Sequence, residues 1–189
     1  MSTGSAVVSG LQAALLLARG RPEGLRNIDN DLRVAARSFW AAGVALPVFS
    51  SLRLLDWTMD GMPAHQGHAW ALDLLFYVIG WAGYAVLSRP LAAALGRAGH
   101  WPRFITVWNW CNVVQYLLFV LAALPTVLGA PDWINQTAGL VALGWALWIE
   151  WFAARVALDV SRLAAVGMVA LDVALGLLLA VVSGAVLPS

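Results

Sequence analysis

The sequence predicts an all-α fold: a polytopic membrane helix bundle with five transmembrane helices and an N-terminal interfacial helix. Three observations predict it. Of the 189 residues, 61% are hydrophobic and only 11% are charged, against about 25% charged in a soluble domain. A core cannot absorb that much apolar surface, so the excess faces lipid. The chain carries 11 tryptophans, a residue that favours the membrane–water interface. Its 11 cations are all arginine, and they cluster along the chain as a topology would require.

A membrane helix needs about 20 mostly apolar residues. Five windows qualify, at about Ser38–Leu55, Ala69–Leu87, Phe104–Leu128, Ala138–Arg155 and Leu163–Leu187. Residues 1–37 then form a cytoplasmic N-terminal segment, and residues 38–189 a five-helix transmembrane domain. Ahead of the spans lies SAVVSGLQAALLLA, Ser5–Ala18, followed by Arg19 and Arg21. It is short for a span, and its cations follow it, the reverse of a secretory signal. It is expected either to lie at the cytoplasmic surface with its arginines at phosphate level or to pack on the bundle. The linker RPEGLRNIDNDLR offers Asn27 or Asp29 as a cap for a helix beginning near Asn30. Pro47 is expected to kink span one.

Positive residues gather in cytoplasmic loops. Five arginines precede span one: Arg19, Arg21, Arg26, Arg33 and Arg37. Arg89, Arg97 and Arg103 lie between spans two and three, and Arg155 and Arg162 between or near the ends of spans four and five. Arg53 alone falls on the opposite side. Five spans with a cytoplasmic N-terminus and a periplasmic C-terminus explain the other ten. The absence of lysine suggests a GC-rich bacterial genome, hence the bacterial inner membrane.

The few polar groups inside the spans are the candidate site. VWNWCNVVQY, residues 107–116, places Asn109, Asn112 and Tyr116 along one helical face, with Gln115 beside it. Span four carries Glu150, with Arg155 five residues on; span five carries Asp172 near mid-membrane. An intramembrane acid is by default a functional-site hypothesis. The candidate intramembrane cluster is therefore Asn109, Asn112, Gln115, Glu150, Arg155 and Asp172, with the amides expected to face spans four and five. It is open to three readings: interhelical hydrogen-bonding glue, a headgroup or small-molecule pocket, or a proton or ion path. From Asp172 the face continues through Gly176, Ala180 and Gly184, a ladder of small residues that favours close helix packing. In span two, Asp73, Tyr77, Gly80 and Tyr84 share a face.

No GxSxG, Walker loop, HExxH or GxGxxG after a strand is present, so no catalytic residue is assigned. His65 and His68 stand near Asp60 and Asp73 in HxxH spacing, but a solvated loop pair does not make a metal site, and neither a metal nor a cofactor is expected. Cys111 is the single cysteine and sits in an apolar run. A net charge of +1 points away from nucleic acid. The expected partners are membrane lipids and other membrane proteins or a second copy of this chain.

The stretches ARGRPEGL, VWNWCNVVQY and WFAARVALDVSRLAAVGMVALDVALG, with the five-span layout, resemble the Yip (Ypt-interacting protein) family of small membrane proteins, in particular its bacterial members. The resemblance covers about Leu15 to the end. It implies a five-span membrane fold and transfers no catalytic residue. Eukaryotic members resemble trafficking factors that bind small GTPases; their long hydrophilic arm and Asp-Leu-Tyr-Gly-Pro motif have no counterpart here, so that activity is not carried over. The function expected is non-catalytic: a scaffold or accessory subunit of a membrane assembly, or an organiser of lipid. The alternative is a small transporter or channel using the polar cluster around Asp172 and Glu150. Lipid or quinone binding in the same cleft is a third reading.

Overall fold

A computed structural model of the chain describes residues 3–186. Seven α-helices follow in order: α1 Thr3–Leu17, α2 Leu32–Ser38, α3 Trp40–Asp60, α4 Gln66–Ala94, α5 Trp101–Val127, α6 Asp132–Leu158 and α7 Arg162–Val186. Among the described residues no strand occurs. Five helical stretches are long and apolar enough to cross a membrane: 32–59, 66–94, 98–127, 132–158 and 162–185. These are the five spans the hydropathy predicts. Most run a few residues past the expected ends, because the helices continue beyond their apolar windows. Leu187, the last residue expected in span five, lies outside the described residues.

The first span begins with α2, whose start differs from expectation. The cap is Asp31, neither Asn27 nor Asp29: its Oδ1 accepts from the backbone N–H of Arg33 at 2.6 Å and of Val34 at 3.3 Å. That satisfies two of the donors left open at a helix start. Asn30 is instead drawn to the next loop, donating to Gly99 O at 2.6 Å and accepting from Arg103 N at 3.1 Å. The break between α2 and α3 falls at Phe39. Pro47 lies inside α3 without ending it, as Pro90 does in α4 and Pro125 in α5.

α5 is the hub of the bundle, packing on α6, α3, α1 and α2, while α7 packs on α4 and α6. Every residue from Phe104 to Cys111 is buried. A helix buried all round has neighbours on all sides. α1 supplies one of them, and so packs on the bundle: Ala13, Ala14 and Leu17 are buried, while Val8 and Leu15 stay exposed. The approach is close. A Cβ at Gly10 would overlap the Trp110 indole. Trp145 of α6 also reaches over, donating to Ala18 O at 3.2 Å.

The arginine clusters meet at one end of the bundle. Arg97, after α4, pairs with Asp159, after α6, at 3.3 Å. Asn30 ties the segment before α2 to the same region. Asp159 adopts a left-handed conformation (φ 53°) that ends α6, and its N–H closes onto Arg155 O. The loops that the positive-residue pattern assigns to one side thus touch one another.

Candidate functional site

The three amides of α5 point three ways. A residue advances about 100° around a helix, so Asn112 and Gln115 lie about 60° and about 120° from Asn109. No single neighbour can receive all three. Asn109 is fully buried and donates its Nδ2 hydrogen to Ser38 Oγ of α2 at 2.7 Å. Ser38 Oγ donates in turn to Ala35 O at 2.7 Å. Gln115 donates to Ala146 O of α6 at 3.0 Å. Asn112 donates to Trp108 O in its own helix at 3.0 Å and lines a groove shared with Asp172. Of the three amides expected to face spans four and five, Gln115 reaches α6, and Asn112 bonds within α5 while lining the groove that α7 also lines. Asn109 faces span one instead.

The two acids do meet. Glu150 of α6 is buried at 4% exposure, and its carboxyl lies near Asp172 of α7, Tyr84 of α4 and Trp108 of α5. Four helices therefore converge on this pair. Tyr84 stacks on Trp108 with centroids 4.4 Å apart, and its hydroxyl donates to Met168 O at 3.2 Å, one turn before Asp172. Glu150 Oε1 and Trp108 Nε1 are buried without a hydrogen-bond partner. Arg155 does not join them. Five residues place it about 140° around α6 from Glu150, and its guanidinium lies 5.7 Å from the Trp151 ring.

The Asp73 face of α4 becomes one wall of the groove. Tyr77 lies 4.6 Å from Phe49 of α3 and 5.9 Å from Trp81; Trp81 lies 5.6 Å from Trp108. Tyr116 of α5 closes the seam at 6.2 Å from Tyr77. The Tyr77 hydroxyl donates to Ala42 O at 2.7 Å, holding α4 to α3. At the end away from the arginine cluster, Arg53 Nε donates to Asp73 Oδ2 at 2.7 Å. Asp56 lies 3.6 Å from the same guanidinium. This pair escapes a sequence reading because its members stand on different spans. The signal was Arg53 itself, the one arginine on the wrong side.

The resulting groove, of about 480 Å³, runs between α3, α4, α5 and α7 and opens to the surface of the bundle. Arg53, Asp56 and Asp73 line one end; Asn112 and Asp172 line its depth. Gly176 and Ala180 of the small-residue ladder form part of its wall. Open space surrounds Gly176 and Gly184, so among the described residues no helix backbone packs on the ladder. The close approach of α4 and α7 occurs on the other helix, where a Cβ at Gly83 or Gly80 would lie 3.4 Å from Leu175 or 3.7 Å from Leu179. A second, apolar recess of about 370 Å³ lies between α3 and α5, around Leu52, Leu55 and Leu124.

Five apolar spans around buried amides and acids define an integral, multi-pass membrane protein. The Yip1 domain family model matches residues 21–183, and the chain belongs to that family. No curated protein and no solved structure matches the chain.

Proposed function

We propose that the protein is a non-catalytic membrane component that organises lipid, or holds a membrane partner, through the groove between α3, α4, α5 and α7. The groove carries this reading. It has the size of a ligand site, it is reached from the bundle surface, and its few polar groups stand at defined places along an aromatic wall. Short connections between the helices leave the membrane domain itself as the working part. The arginine asymmetry supports an orientation with the N-terminus cytoplasmic and the C-terminus on the far side, and the absence of lysine supports a bacterial inner membrane; topology-reporter fusions at each terminus test this orientation.

Purification in mild detergent followed by native mass spectrometry tests the role. Bound lipid or a stoichiometric protein partner is expected. A bare monomer with neither would count against the reading. The second reading is a small transporter, favoured by polar groups at both the mouth and the depth of one groove. It requires water to reach Asp172. Labelling of a cysteine placed at 172, after replacing Cys111, decides it: a position sealed from both sides removes the transporter.

A further inference from the structure

We infer that the groove binds a hydrophobic organic cation, an ammonium-type group on an apolar body, with Asp172 as its counter-charge. The inference rests on the groove being a ligand site and adds the charge class of its occupant.

Three carboxylates and one guanidinium line the groove. Arg53 is the cation among them, and Asp73 and Asp56 at the far end engage it. The stretch of α4 from Asp73 to Tyr84, which parallels the groove, measures about 16 Å. Asp172 therefore stands well away from Arg53, and its neighbour across the helix boundary is another acid, Glu150. Glu150, whose Oε1 is unpartnered, stands behind the groove wall, so Asp172 is the acid that the groove itself presents away from Arg53, and a cation entering there would pair it.

The walls select for the rest of the ligand. Phe49, Tyr77, Trp81 and Tyr116 line the groove, and aromatic faces attract a weakly hydrated cation, most strongly where water is excluded. A small hydrated metal ion gains little from such walls, and the described residues hold no group of three metal-ligating side chains. An anion would meet Asp172 unfavourably. A lipid tail laid along the groove would bring hydrocarbon against the same carboxyl. An organic cation with an apolar body meets each of these surfaces with its matching part.

The test uses an isosteric pair of opposite charge, tetraphenylphosphonium and tetraphenylborate. The full chain is placed in phosphatidylcholine nanodiscs, and binding is read by equilibrium dialysis against empty discs. Saturable binding of the phosphonium and none of the borate is expected. Asp172→Asn should weaken the phosphonium at least tenfold, Asp172→Glu should restore most of it, and Glu150→Gln should weaken it several-fold. Arg53→Gln should tighten it, a change of sign that loss of folding cannot mimic. Equal binding of both ions, or affinity unchanged in Asp172→Asn protein of wild-type thermal stability, overturns the inference. So does an absence of phosphonium binding, even where native mass spectrometry still finds a neutral lipid in the groove. Displacement of the phosphonium by added phosphatidylethanolamine would identify an amine headgroup as the source of the cation. Binding that this lipid leaves untouched would identify a free amphiphilic cation.

Discussion

Asn109 and Ser38, 71 positions apart, share a 2.7 Å hydrogen bond between two buried side chains. It fastens the first turns of the bundle to its central helix. Ser38→Ala removes the acceptor and leaves Nδ2 beside an Oδ1 that already lacks a partner. The expected loss is about 1–2 kcal/mol. A double-mutant cycle with Asn109→Ala, read by unfolding in mixed micelles, should show the two losses overlapping. Additive losses would mean that the bond contributes nothing of its own.

Arg53 and Asp73 make the corresponding tie between α3 and α4. The Asp73 side chain is only 8% exposed, so removing its partner strands a charge. Arg53→Met alone should cost on the order of 2 kcal/mol, discounted for the 31% exposure of the arginine. Arg53→Met combined with Asp73→Leu should recover most of it. The pair should also resist added salt, because screening acts mainly on exposed charges. A double variant no more stable than the single one would refute this account.

Gly83 and Gly176 are expected to respond in opposite ways. Leu175 sits 3.4 Å from where a Cβ of Gly83 would lie, whereas Gly176 faces open space. Gly83→Leu should cost about 1–3 kcal/mol through overpacking. Gly176→Leu should leave thermal stability unchanged or slightly raised, as leucine suits a helix better than glycine. It should also empty the groove of whatever copurifies. Destabilisation by Gly176→Leu would instead mean that the small-residue ladder packs against a second copy.

Gly10 tests the docking of α1. Gly10→Val drives a side chain into the Trp110 indole and should lift α1 from α5. Trypsin should then cut faster at Arg19 and Arg26. Trp110→Ala in the same chain should slow the cleavage again. Cleavage unchanged by Gly10→Val would mean that α1 does not depend on this contact.

What could be read in advance follows from what each signal reports. Apolar windows and arginine placement are summed over many residues, and all five spans came through. The aromatic face of α4 was legible for the same reason: Asp73, Tyr77, Gly80 and Tyr84 repeat at helical spacing. The partners of single polar groups were not legible. Spacing places Asn109 and Asn112 near one another on α5, but which helix covers each position is a tertiary fact. That α1 and α2 surround the same helix cannot be inferred from a segment too short to span. Glu150 and Asp172 lie near one another at a shared depth, whereas Arg155, five residues along, turns away.

The encirclement of α5 also bears on biogenesis. During synthesis α5 leaves the ribosome before α6 exists, so Gln115 enters the bilayer without Ala146 to receive it. Asn109, by contrast, meets Ser38 from a helix already made. The growing chain thus has a docking point for one amide while another waits for the next hairpin. Release of α5 from the translocon should therefore be delayed until α6 has followed it.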